Sequence, residues 1–406
     1  MPEQALSDVK ILDLTWYVSG PYCTKLFADY GADVIKIERP NGGDPARKMG
    51  PFLKDDPHPD KSGLFLHLNT NKRGITLNLK TSTGQGMLKE LVKDVDILVE
   101  SFGPRVMESL GLDYETLAEI NPKLVMTSIS NFGQTGPYRD FKTSEIVTFA
   151  MGGAMNSVGL PEREPLKKGT GTPVLFSAGT MAASATMIAL YGAQIQDIGQ
   201  HVDISLFESQ MGSIDRRMSQ LIAFQYNNEI TPRSDPKIRR GFPFGIYPCQ
   251  DGYWEIAAVG SQWPAVGKMM NMPELITDPR FNSPLAQMMS NSVGEFDAIF
   301  IPWCFEHPKK ECVTLGQQSG ALCGPLNTVE DLLNDPHYQD RGYWVNITHP
   351  VAGELAYPGA PFKCEDMPWM VKRSAPMLGQ HNEEIYCEKL GYSQEDLVKL
   401  RESEVI

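Results

Sequence analysis

The sequence predicts an α/β fold, a Rossmann-like large domain built on a parallel sheet and joined to a smaller α+β domain. Three observations carry this. Short β-branched runs alternate with helical stretches through the first third of the chain, the order that builds a parallel sheet covered by helices. A polar segment with two prolines and three arginines, Gln225–Gly241, then interrupts the chain, and a strand-like alternation follows it at Tyr253–Val259. The 406 residues are enough for two domains, or for one large domain carrying a smaller insert.

Taken in order, Val9–Thr15 and Asp33–Glu38 read as strands, with Pro21–Tyr30 helical between them and Gly31 as its stop. Ile75–Leu79, Asp96–Glu100 and Leu124–Ser130 read as further strands, and Gly84–Lys93 as a helix. Ser144 to Gln196 reads as helical, and Val202–Ser205 as the next strand. The apolar stretch Phe176–Tyr191 is broken by Ser177, Gly179, Ser184 and Thr186, which suits a closely packed buried helix better than a membrane span. Glu295–Gln317 is mixed helix, Thr328–Pro361 leads back, and the charged tail Glu383–Glu404 reads as surface helices. The expected boundaries are a large domain at 1–215 and 345–406, a small domain at 230–330, and linkers at 216–229 and 331–344.

Composition narrows the function. Hydrophobic residues make up 41% and charged residues 21%, as in ordinary soluble globular proteins. A net charge of −13 repels phosphate backbones and argues against a nucleic-acid partner, but a local basic patch can still hold an anionic cofactor. Met1–Ser7 is polar and Val9–Leu14 is too short to target or span, so the expected place is the cytoplasm, with no membrane partner. Seven cysteines without a CxxC pair read as reduced thiols, and the scattered histidines form no HExxH motif, so no metal is expected. The turn after the first strand is Trp16-Tyr17-Val18-Ser19-Gly20-Pro21; no GxGxxG and no P-loop occurs, so neither nicotinamide nor flavin is expected.

Six blocks in order carry a resemblance. They are ILDLTWYVSGP…LFADYGADVIKIERPNGGDPAR (Ile11–Arg47), NTNKRGITLNLKT (Asn69–Thr81), the long block Asp96–Asp140, GQHVDISLFES (Gly199–Ser209), and the late GAPFKC and APMLGQHNEEI. Together they resemble the family III CoA-transferases. The resemblance implies the two-domain α/β fold above and an interlocked dimer in which each ring-shaped chain threads the other. It implies coenzyme A or an acyl-CoA as substrate, bound on the large domain. In active members an aspartate attacks the acyl-CoA carbonyl to form a mixed anhydride, and the CoA thiolate then passes through an aspartyl thioester to the acceptor acid. A carboxylate can accept and release acyl groups reversibly.

That aspartate lies four residues before a glycine that opens the long apolar helix. Here the opening is Leu175-Phe176-Ser177-Ala178-Gly179, so Leu175 stands at the nucleophile position and no catalytic residue is assigned on this chain. No Asp or Glu lies between Pro165 and Gln196, so a shift of one or two residues does not restore it. Ser177 has no nearby base to activate it. Glu145 matches a family acid near the reaction centre.

The resemblance places CoA against Tyr17, Val18 and Ser19 of the first turn, Arg39, Asn71, Lys72 and Arg73, Ser101 and Phe102, and Lys142. A guanidinium such as that of Arg39 stacks on a base and forks to phosphate oxygens; its plain alternative is a surface ion pair with Glu38 or Asp44. For Lys72, Arg73 and Lys142 the alternative is a solvated charged face. For the first turn it is packing at the entry to a helix. Ser109 replaces the family's phosphate-contacting arginine, and Arg105, one turn earlier, is the substitute. Trp16, Tyr17, Phe102, Phe242 and Phe244 suit an aryl substrate beside the site.

The function implied is the nucleophile-lacking subunit of a heteromeric CoA-transferase whose homologous sister supplies the aspartate. It is similar to the two-subunit members that move CoA from succinyl-CoA to (R)-benzylsuccinate in anaerobic toluene breakdown. Two alternatives stay open: a self-sufficient CoA-transferase or acyl-CoA racemase using another acid, and a CoA-binding pseudoenzyme.

Overall fold

The computed structural model describes residues 4–167, 171–211, 216–230, 232–233 and 241–406. It divides into two compact units, one of Met1–Val158, Leu166–Thr231 and Gly342–Ile406, the other of Gly159–Pro165 and Pro232–Arg341. Of the proline- and arginine-rich segment read as a linker, positions 231 and 234–240 lie outside the described residues.

The larger unit is built on a six-stranded sheet of β1 (Lys10–Asp13), β2 (Asp33–Glu38), β3 (Arg73–Thr76), β4 (Ile97–Glu100), β5 (Val125–Ser130) and β6 (Gln200–Ser205). Its order is β3-β2-β1-β4-β5-β6, with every pairing parallel, the doubly wound arrangement expected from the sequence. The strands alternate between two cores. Leu12, Ile35, Leu98 and Met126 meet Met87, Leu88, Leu91 and Val92 of helix α2 (Ser82–Val92) on one face. Ile11, Val34, Val99 and Val125 meet α1 (Ser19–Ala28) and the small-residue side of the long helix α5 (Pro173–Gln196) on the other. Between them, in chain order, lie α3 (Tyr114–Ile120) and α4 (Glu145–Met151).

α1 and α5 approach closely because Gly179 has no side chain: a Cβ there would lie 2.5 Å from the Ser19 carbonyl oxygen. By length and composition α5 could cross a membrane. Here Ala178, Ala182, Ala189 and Ala193 face the sheet core, while Ile188, Tyr191 and Ile195 stand exposed.

Three expectations are corrected. The helical stretch from Ser144 to Gln196 is two helices, because Gly152 and left-handed Gly153 end α4. β3 spans Arg73–Thr76 and not Ile75–Leu79, because its ladder with β2 runs from Ile35↔Arg73 to Glu38↔Thr76; its other edge gives the Gly74 and Thr76 N–H groups to His381 Nδ1 (3.0 Å) and Asn382 Oδ1 (2.9 Å). The C-terminal tail is not a surface appendage. A π-helical turn, Glu384–Lys389, and the last helix, Gln394–Glu402, bury Ile385, Tyr386 and Leu397 in the first core and cover the β3 edge.

The smaller unit pairs β7 (Phe244–Cys249), β8 (Gly252–Ala257) and β9 (Leu322–Pro325) as an antiparallel sheet. Its inner face packs Tyr247, Trp254 and Ile256 on an aromatic column, Phe242, Phe296 and Phe300, with ring centroids 4.8 and 4.9 Å apart. Phe242, expected beside a pocket, is therefore a fully buried core residue of this unit.

Candidate functional site

Strand order reverses direction between β1 and β4, and ligands of doubly wound sheets bind at the carboxyl ends of the strands at that switch point. Two turns leave the sheet there, Thr15–Val18 after β1 and Ser101–Arg105 after β4. They are clasped to one another: the Trp16 N–H donates to Ser101 Oγ (3.0 Å), and the Trp16 and Phe102 rings meet edge to face at 5.5 Å. Arg39, at the end of β2, lays its guanidinium 5.2 Å from the Trp16 ring centre, and its Nε donates to the Gly43 carbonyl (2.9 Å). Tyr17 stands about half exposed in the left-handed region (φ 66°), an uncommon conformation for a bulky residue. Its N–H donates to Asp44 Oδ1 at 3.1 Å. Val18 and Ser19 are buried at the entry to α1.

Beneath this surface lies a buried ionic frame. Lys36 donates to the Thr15 carbonyl (2.9 Å) and pairs with Asp44 at 2.9 Å, both side chains fully buried. Asp13 receives Lys72 Nζ at 2.9 Å and the hydroxyls of Thr15 and Thr24. Burial pushes the Asp13 carboxyl up, but Lys72, Lys36 and the two hydroxyls overcome it and hold the carboxyl well below the usual range. Farther out, Arg47 forks onto Glu38 at 2.7 Å and reaches Asp60 at 2.8 Å. These groups fix where the first turn runs.

The structure brings Tyr17, Val18, Ser19, Arg39, Ser101 and Phe102 together at the switch point. It does not bring Asn71, Lys72 and Arg73 to that surface, which corrects their expected phosphate contacts. Lys72 is fully buried, and its three N–H bonds go to Asp13, Asn69 Oδ1 and the Pro21 carbonyl, leaving no donor for a phosphate. Asn71 donates to Asp29 and to the Met370 carbonyl. Arg73 pairs with Asp33 (2.5 Å) and Glu384 (2.6 Å), tying β2 and β3 to the C-terminal turn. Arg105 sits in the left-handed region and forms an exposed pair with Asp140 at 3.0 Å; Lys142 is exposed on the loop before α4.

Sequence reading did not find Asp13, Lys36 and Asp44. The signal was present, since an Asp and a Lys inside otherwise apolar strands need buried partners.

Leu175 lies half-buried in the first turn of α5 and packs against the second core. Next to it, Phe176 meets Tyr22 of α1 edge to face at 4.9 Å, so this turn stands beside the entry to α1. The carboxyl group fixed at the same helix end belongs to Glu145, which accepts from the Val174 N–H (3.3 Å) and pairs with Lys167 at 2.9 Å.

A doubly wound sheet whose two clasped turns, arginine and aromatic rings meet at its switch point is an α/β fold of the Rossmann-like class, with these residues at the edge where such folds take ligands. The chain belongs to CoA-transferase family III, whose model matches residues 6–382. It is 33% identical over 407 residues to the succinyl-CoA–D-citramalate CoA-transferase of Chloroflexus aurantiacus, covering all of this chain and 99% of the relative. It is 34% identical over 427 residues to the formyl-CoA:oxalate CoA-transferase of Streptomyces coelicolor, covering both chains in full. A solved CAIB/BAIF family protein from Brucella suis superposes with a TM-score of 0.83 at 27% identity, covering 95% of this chain and 99% of that one. CoA transfer is the activity these relatives indicate.

Arg39→Ala is expected to weaken CoA binding by roughly 1–3 kcal/mol, the worth of a charge-assisted contact. Calorimetry finding equal affinity would remove Arg39 from the site.

Proposed function

We propose that this chain is the nucleophile-lacking subunit of a heteromeric, cytoplasmic CoA-transferase, binding CoA on the switch-point surface while a homologous sister supplies the aspartate. The observation that carries the reading is Leu175, an alkyl side chain on the first turn of α5, where the family resemblance calls for a carboxylate. The sister's carboxylate would attack the acyl-CoA carbonyl, take the acyl group and release the thiolate to be passed on to the acceptor acid. Succinyl-CoA as donor is supported by the names of relatives, among them the succinate–glutarate CoA-transferase of Agrobacterium fabrum, 30% identical over 394 residues. The aromatic wall of Trp16, Tyr17 and Phe102 supports an aryl acceptor such as benzylsuccinate. Exposed Ile188, Tyr191 and Ile195 along α5, and Leu221, Ile222 and Phe224 on α6 (Arg216–Asn227), supply the apolar surface an obligate partner chain would cover.

Glu145, the first residue of α4, accepts from the Val174 N–H at the start of α5, and this favours a second reading, a self-sufficient enzyme using that acid. Incubating the purified chain with acyl-CoA and hydroxylamine, then mapping peptides by mass, separates the two. The two-chain reading expects no hydroxamate on any Asp or Glu of this chain. A hydroxamate on Glu145 would establish the self-sufficient enzyme instead.

A further inference from the structure

We propose that Glu100, Ser128 and His201 form a proton-linked latch that tightens the Ser101–Arg105 turn, and with it the CoA surface, when Glu100 gives up its proton. The latch rests on the reading of that surface as the CoA site. Glu100 ends β4 and is nearly fully buried, yet no lysine or arginine pairs with it among the described residues. Its Oε2 accepts the Phe102 N–H at 2.7 Å, holding the start of the turn whose Ser101 hydroxyl receives Trp16. Across the sheet Glu100 is in register with Ser128 of the parallel strand β5, so the two side chains are neighbours on the same sheet face. The same hydroxyl lies 2.9 Å from His201 Nε2 on the edge strand β6. His201 reaches solvent there and stacks on Tyr114 of α3, centroids 5.5 Å apart.

One hydroxyl between an acid and an imidazole makes a relay, because Ser128 has a single proton to donate. When Glu100 is ionised, it accepts from Phe102 and from Ser128, and Ser128 in turn accepts from a His201 Nε2–H. When Glu100 takes a proton, it donates to Ser128, the hydroxyl turns to donate to His201 Nε2, and the imidazole carries its hydrogen on Nδ1. The buried proton and the surface tautomer change together, and no proton is lost or gained in the relay beyond the one taken up by Glu100. A charged carboxylate holds the Phe102 N–H more strongly than a neutral carboxyl does. The ionised form is therefore the one that fixes the turn.

Burial pushes the Glu100 carboxyl up to about 7, against the pull of Ser128 and the Phe102 N–H, with Asp203 of β6 adding to the push. Burial lowers His201, opposed by the carboxylates of Asp203 and of Glu115 on α3. Tyr114 also faces His201, and burial raises its phenol further above its ordinary value. Asp203 is itself held by the Gln134 N–H at 2.9 Å.

Glu100→Gln mimics the protonated acid, keeping an acceptor for Phe102 and a donor for Ser128. CoA affinity of the full-length protein, in the assembly in which it purifies, is measured for wild type and variant across the neutral range. Titration of CoA itself cancels in the ratio. That ratio should be close to one at about pH 6 and rise several-fold in favour of wild type by about pH 8. Without CoA, the Phe102 amide should exchange faster in Glu100→Gln than in wild type at the higher pH only, and Ser128→Ala should uncouple the His201 ring-nitrogen shifts from Glu100. A ratio that does not change with pH, or Phe102 exchange equal in both proteins at the higher pH, would overturn the latch. If wild type binds no CoA at any pH, the CoA-site reading falls, and the amide measurement alone decides whether the latch exists.

Discussion

Replacing Lys72 with methionine is expected to destabilise the protein by roughly 3–5 kcal/mol, the usual penalty for removing one partner of a buried ion pair. Lys72 and Asp13 are both fully buried. The loss follows less from the attraction forgone than from the carboxylate left behind, which keeps Lys36 and two hydroxyls but loses its closest cation. The pH dependence has a definite sign. In the native protein the Asp13 carboxyl is depressed, so its contribution is present above the unfolded pKa and lost as pH falls through the lower folded value. In the variant the carboxyl rises toward its unfolded value, so the deficit should be largest near neutrality and shrink in acid. Urea unfolding of both proteins at about pH 7 and at about pH 3, below the ordinary carboxylate pKa, checks this. An Asp13→Asn, Lys72→Met double variant should recover part of the loss, because no buried charge is stranded. Equal stability of Lys72→Met and wild type would mean that the frame beneath the first turn is not held by this pair.

The second large effect concerns the two-chain reading. Co-expressed with its sister, this chain should purify as an obligate complex burying well over ~2,000 Å². Substituting the sister's aspartate with alanine should then lower kcat by at least about 10³-fold, since a nucleophile cannot be replaced by its neighbours. Leu175→Ala on this chain should leave most of the turnover, because an alkyl group does no chemistry there. A stable, active preparation containing this chain and no second polypeptide would end the two-subunit proposal. So would a fall in kcat for Leu175→Ala as large as that for the sister's aspartate.

The doubly wound half of the fold was legible because its signals are local. β2 coincides with the run DVIKIE, whose apolar positions are buried on both sheet faces. The small residues that interrupt the apolar run Phe176–Tyr191 indicated a closely packed helix, and at one of them, Gly179, α5 meets α1. Part of the site was legible for the same reason. Trp16 to Ser19 and Ser101-Phe102 each follow a strand, and a turn after a parallel strand faces the binding edge.

The class of fold and the family could be read from the sequence alone, because each is written in short runs of residues whose meaning does not depend on distant neighbours. Tertiary structure decided what the charges do. Lys72 and Arg39 look alike as basic residues in matching motifs, but one is fully buried against Asp13 and the other lies over Trp16. The difference arises 59 residues away along the chain, at Asp13. A charge buried in a core must find its counter-charge, and which residue provides it is settled only when strands far apart in sequence become neighbours in the sheet.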